Sequence, residues 1–148
     1  MLESFIGNED NSQKINSETL RKNVEEIFQI MGENESDSKI ATDALVLADL
    51  RGVESHGISN MLRIYIEGYR NEEIKPQAKL STIKDNLATC SVDGDRGLGI
   101  ITTPKAMDIA IAKAKTYGIS MVTIKNSRHL GMASYHAIQA MKHKMIGM

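Results

Sequence analysis

Apolar residues recur along this chain with two different periods. Leu20, Val24, Ile27, Phe28 and Met31 are spaced as one face of a helix, with Asn16 or Ser17 placed to cap it and Gly32 to stop it. A second helix opens at Ser36, with Asp37 in its first turn, where the helix dipole favours an anion. Ile40, Ala41, Ala44, Leu47 and Ala48 form its apolar face, and Gly52 ends it. After a short link, Ile58, Leu62, Tyr65, Ile66 and Tyr69 make the stripe of a third helix. At about 100° per residue, His56, Asn60 and Arg63 project from the opposite side.

Gly68 and the 71–76 segment break that pattern, which sets a subdomain boundary near residue 73. Beyond it the segments are shorter. Leu80–Lys84 and Leu87–Val92 read as strands joined by the turn pair Asp85-Asn86. A glycine-rich stretch, Asp93–Gly99, leads to a helix with Thr103 as cap, Pro104 at its first position and Gly118 as its stop. The run 119–124 is apolar and β-branched with almost no alternation, which predicts a strand covered on both faces. A loop over 125–131, a helix over about 133–144 and the start of another apolar strand at Met145–Met148 follow. This alternation of strand and helix predicts a mainly parallel α/β sheet. The chain therefore divides into a polar, mobile tail over 1–15, a helical module over 16–73 and an incomplete α/β domain over 74–148, reading as the front part of something larger.

Composition narrows the function classes. Of 148 residues 41% are hydrophobic and 25% charged, which excludes a disordered chain. Eighteen Lys and Arg against nineteen Asp and Glu leave a net charge of -1, unlike a nucleic-acid binder or a polybasic membrane-surface protein. No apolar run is long enough to span a bilayer, and the first residues lack a secretory pattern. The single cysteine, Cys90, rules out an internal disulfide and a cysteine-based zinc site. The expectation is a cytoplasmic globular protein with no nucleic-acid or membrane partner.

Four histidines carry the titratable chemistry. His129, His136 and His143 are spaced by seven residues, about 10.5 Å along a helix and too far for one metal, so no metal site is expected. His136 and His143 read as polar helix residues. His129 lies in Asn126-Ser-Arg-His-Leu-Gly131, directly after the apolar strand, and loops at the carboxyl ends of parallel strands line ligand crevices. A histidine there is either an active-site group or a cap for the next helix. Gly94, Gly97 and Gly99 offer backbone N–H groups to a phosphate or simply make a tight turn.

Three segments resemble the malate/L-lactate dehydrogenase-type family of NAD(P)-dependent oxidoreductases, which is distinct from the Rossmann-fold dehydrogenases. They are Asp49-Leu-Arg-Gly-Val-Glu-Ser-His-Gly-Ile-Ser59, Val92-Asp-Gly-Asp-Arg-Gly-Leu-Gly99 and Lys125-Asn-Ser-Arg-His-Leu-Gly131, in the family's order. The resemblance covers about residue 17 onward. It implies a helical part joined to a non-Rossmann nicotinamide-binding α/β part, a homodimer in the complete protein, and NAD or NADP as cofactor. It implies hydride transfer between that cofactor and a small 2-hydroxy acid, or the matching 2-keto acid, such as malate, lactate or ureidoglycolate. His56 and His129 fall on the family's two acid/base positions, and the expectation is that they approach one pocket, with His56 as the proton carrier. Ser55, Asn60 and Arg63 are the implied substrate contacts, and Asn126, Ser127, His129 and Gly131 the implied cofactor contacts. Many members carry an arginine where this chain has Asn60, so the carboxylate-pairing role passes to Arg63, one turn on. Members are also much longer, which keeps open a second reading, a truncated and non-catalytic relative serving as an interaction module or standing as a gene remnant.

Overall fold

The computed structural model describes residues 14–148, so the tail expected over 1–15 falls, up to residue 13, outside the described residues. The first helix, α1, spans Ser17–Ile30, and the Asn16 carboxamide accepts from the backbone N–H groups of Glu18 and Thr19. Gly32 lies just beyond its end with φ +100°, the left-handed region open to glycine. Helix α2 spans Glu35–Leu50, beginning one residue earlier than expected because Asn34 is the cap, accepting from Asp37 N–H. A 3₁₀ turn over Glu54–His56 then leads into α3, Ile58–Arg70. Gly68 stays inside α3 rather than ending it, because a Cβ there would lie 2.7 Å from Ile74 Cδ1 and the glycine lets Ile74 pack on the helix.

Among the described residues the sheet has three strands in the order β1 (Ser81–Asp85), β2 (Thr89–Asp93) and β3 (Met121–Lys125). It is mixed rather than mainly parallel: β1 and β2 are an antiparallel hairpin with a bulge at Ile83, and β2 and β3 are parallel, with Val92 opposite Ile124. The parallel pair is joined by α4, Gly99–Tyr117, which begins at Gly99 and not at the Thr103-Pro104 pair. Pro104 is thus internal and buried. The earlier start follows from tertiary contact, since Gly99 lies against the carbonyls of Arg128 and His129, where a Cβ would come within 2.3 Å.

Strand β3 is not covered on both faces. Val122 and Ile124 are half-buried with Cys90, Val92 and Ala106 beneath α4, whereas Met121, Thr123 and Lys125 are exposed on the other face, over which no described element lies. The helix expected over 133–144 is a short α5, Ala133–Ala137, followed by a 3₁₀ segment, Ile138–His143. Met145–Met148 forms no strand, and Ile146 is fully exposed. The larger core is shared between the two parts of the chain: Val24, Phe28, Leu45, Met61 and Tyr65 from α1 to α3 pack with Leu98, Ile100 and Met132. A part-buried ion pair, the buried Asp37 with the half-buried Lys105 at 2.7 Å, ties α2 to α4. This shared core fixes α3 and the loop after β3 against each other.

Candidate active site

The link between α2 and α3 is shaped by Asp49. Near a helix C-terminus a carboxylate faces the unfavourable end of the dipole, so an aspartate in the last turn of α2 is expected to serve something else. Its Oδ2 accepts from the N–H of Ile58 at 2.9 Å, capping α3 across the link. Burial raises its pKa while that hydrogen bond pulls the other way. A Cβ on Gly57 would lie 1.6 Å from Asp49 Oδ1, so only glycine lets the carboxylate reach the helix. The 3₁₀ turn that results carries Ser55 and His56, and Ser55 Oγ lies 2.9 Å from His56 Nδ1. Asn60 donates to the Glu54 carbonyl at 2.8 Å and so braces the same turn.

The loop after β3 is held by the glycine-rich turn after β2. Gly94 N–H donates to the Lys125 carbonyl, Arg96 N–H to the Asn126 carbonyl, and Arg128 N–H to the Gly97 carbonyl. Gly97 N–H is also taken, by the Gly94 carbonyl. The N–H groups of Gly94 and Gly97 are therefore both taken by backbone carbonyls, one at the end of β3 and one within the turn, so neither is free to cradle a phosphate. Asn126 Nδ2 donates to Asp93 Oδ1 at 3.0 Å, and Ser127 Oγ pairs with Thr102 Oγ1 at 2.9 Å. Their backbones and side chains fix the loop to β2 and α4.

His129 emerges from this loop and does not cap α5, whose N-terminus has no side-chain cap. Its ring stacks on that of His56, with centroids 5.5 Å apart and planes 16° apart. The two motifs thus meet, one histidine from the helical part and one from the α/β part. Nδ1 of His129 lies 2.9 Å from the hydroxyl of Tyr65 on α3. Partial burial, with the neighbouring His56, holds the His129 pKa below the ordinary histidine value. Gly131 lies two residues on with φ +73°, against Ile100. Beside this loop a cleft of about 390 Å³ is lined by Thr103, Ile124, Asn126, Ser127, Arg128 and Leu130, at the carboxyl end of β3. That is a size and position common for small-molecule sites in α/β proteins.

Arg63 is exposed on α3 and makes no hydrogen bond or ion pair among the described residues. It projects about 200° round the helix from Tyr65, and among the described residues no hydrogen bond joins it to either histidine. His136 is a core residue rather than a polar helix position: it is buried, and Nε2 pairs with the Leu130 carbonyl at 2.7 Å. Sequence reasoning placed Tyr65 only in an apolar stripe. A tyrosine there carries a hydroxyl that needs a partner once buried, and that was its available signal.

A family model for malate/L-lactate dehydrogenase matches residues 15–148. The malate dehydrogenase of Pyrococcus abyssi is 37% identical over 139 residues, covering 94% of this chain and 38% of that protein. The L-sulfolactate dehydrogenase of Methanocaldococcus jannaschii is 38% identical over 130 residues, covering 88% of this chain and 38% of that protein. Among solved structures, the malate dehydrogenase of Pyrococcus horikoshii OT3 superposes with a TM-score of 0.89 at 36% identity, over 93% of this chain and 39% of that one. The chain belongs to the malate/L-lactate dehydrogenase family, and its fold is that of the N-terminal portion of these enzymes. It spans about 38% of the length of the curated relatives it matches.

Proposed function

We propose that this chain supplies the proton-handling part of an oxidoreductase that interconverts a small 2-hydroxy acid and its 2-keto acid, with NAD or NADP as the hydride carrier. The observation that supports it is the stacking of His56 on His129, since the two family motifs converge on one spot. A bound nicotinamide would supply the hydride acceptor for the carbinol carbon, and the chain's own residues would have to take the hydroxyl proton. In this reading His56 takes that proton and Ser55 holds the Nδ1 side of its ring, while His129 directs a hydrogen bond to the substrate oxygen. Arg63, an exposed guanidinium with no hydrogen-bond or ion-pair partner among the described residues, takes the substrate carboxylate, with Asn60 and Ser55 beside the same turn.

The lining of the cleft beside β3 supports placing part of a dinucleotide there. Ile124 and Leu130 offer apolar walls, Thr103, Asn126 and Ser127 offer hydrogen-bonding groups, and Arg128 offers a cation for phosphate. We assign Asn126, Ser127, His129 and Gly131 to the cofactor side, and residues 74–148 to part of the cofactor-binding domain. Malate, sulfolactate and lactate are the substrates to try first, and the complete protein is read as a cytoplasmic homodimer.

The test is a fusion in which residues 15–148 replace the matched stretch of the Pyrococcus abyssi malate dehydrogenase, assayed for reduction of oxaloacetate, sulfopyruvate and pyruvate with NADH and NADPH. Turnover with at least one pair is expected. A folded fusion that binds neither nucleotide and reduces no 2-keto acid contradicts the assignment.

A further inference from the structure

Tyr65 is only 1% exposed, and the sole hydrogen-bond partner of its hydroxyl among the described residues is Nδ1 of His129, at 2.9 Å. We propose that Tyr65 is a positioning residue: its O–H donates to Nδ1 and so confines the proton of neutral His129 to Nε2. For its catalytic consequence this rests on the hydroxy-acid reading; the tautomer itself does not.

Three observations carry it. A buried phenol proton needs an acceptor, and Nδ1 is the acceptor in place. Were His129 to gain a second proton, Nδ1–H would point at the phenol oxygen and the buried O–H would lose its partner. Second, among the described residues the groups facing His129 are Tyr65 from α3 and His56 from the 3₁₀ turn, and no carboxylate hydrogen-bonds to the ring. Arg128, its neighbour in the chain, is turned to the Glu73 carbonyl at 2.6 Å. Third, the loop closes on the hydroxyl through a glycine: a Cβ on Gly131 would lie 2.6 Å from Ile100 Cγ2 and 3.9 Å from the Tyr65 oxygen. The His-x-Gly spacing of this motif is thereby explained, one residue meeting the hydroxyl and the other clearing room beside it. Burial also drives the Tyr65 pKa far above its usual value, so the phenol keeps its proton to donate. The two stacked histidines consequently differ: His129 is a fixed Nε2–H donor, and proton acceptance is left to His56.

Imidazole ¹⁵N–¹H correlation spectra of the 148-residue chain test this, with neither substrate nor nicotinamide present. The parent should show His129 at neutral pH as the Nε2–H tautomer. Tyr65→Phe, which keeps the ring volume, should give mixed tautomers and raise the His129 titration midpoint by about half a unit or more, the size expected for losing one neutral hydrogen bond. His136 reports in the same spectrum whether the fold is kept. Gly131→Ala, which forces the loop off the hydroxyl, should mix the tautomers in the same way. An unchanged tautomer and midpoint in either folded variant overturns the proposal and leaves the hydroxy-acid reading standing. A pure Nε2–H tautomer in a fusion without turnover overturns the hydroxy-acid reading alone.

Discussion

The imidazoles of His56 and His129 lie face to face with their planes 16° apart, one carried by a turn between two helices and the other by a loop at a strand end. Among the described residues, Ser55 hydrogen-bonds to the ring of His56 and Tyr65 to that of His129. With the rings stacked in this way, a positive charge on His56 works against one on His129.

Folding stability should decline as pH falls below about 6.5, the unperturbed histidine value. Burial lowers the pKa of His136, and burial with the neighbouring His56 lowers that of His129. Between the folded and unfolded values the unfolded chain binds more protons, so stability is complete above about 6.5 and is lost as pH drops toward the folded values. Glu33 and Asp49, raised by burial, act with the opposite sign. Urea unfolding at several pH values, parent against His136→Gln, isolates the histidine part. The parent should show the steeper loss on acidification, and equal slopes would contradict the assignment.

Gly57→Ala should destabilise the chain by about 1–3 kcal/mol, the range for overpacking combined with a lost helix cap. The new Cβ would occupy the position of Asp49 Oδ1, so the carboxylate must leave Ile58 N–H. Asp49→Ala should cost less, about 0.5–2 kcal/mol, since it removes the cap without adding a clash. Denaturant midpoints order the two variants, and a neutral Gly57→Ala would show that the carboxylate does not set this turn.

Lys105→Ala should cost about 1–3 kcal/mol, because it strands Asp37, whose side chain is 5% exposed, without its cation. Lys105→Met, which keeps the stem, should cost nearly as much. Urea unfolding distinguishes this from a surface pair, whose loss would fall within about 1 kcal/mol at most.

Arg63→Lys in the fusion enzyme should raise KM for carboxylate substrates more than the kept charge suggests, since lysine lacks the planar fork that grips a carboxylate. Nicotinamide affinity should be unchanged. Equal kinetics would return Arg63 to the solvated face of α3.

The parts of this fold that were legible in the sequence are those decided locally. Asn16 caps α1 because its side chain reaches two N–H groups in the next turn, and Gly118 ends α4 with φ +82°. The convergence of His56 and His129 was legible through the two motifs they sit in. What the sequence concealed was decided by neighbours distant along the chain. Nothing local makes α4 start at Gly99; the Arg128 and His129 carbonyls lying against it do. Likewise an apolar run at 119–124 carries no signal of how many layers cover it, and Met121 is 62% exposed. Tyr65 was hidden by its own company, a hydroxyl within an apolar stripe, and only the loop after β3 reveals the partner it needs.

The most direct measurement is the pH–rate profile of 2-keto acid reduction by the fusion enzyme carrying His56→Asn, with nucleotide binding followed in parallel. Turnover should fall by about 10²-fold or more, the scale of lost general acid–base catalysis. The titration near neutrality should disappear while nucleotide affinity holds, and His129→Asn should instead weaken binding more than turnover. Survival of the neutral-pH titration in His56→Asn, with its loss in His129→Asn, would contradict the division of roles between the two stacked histidines.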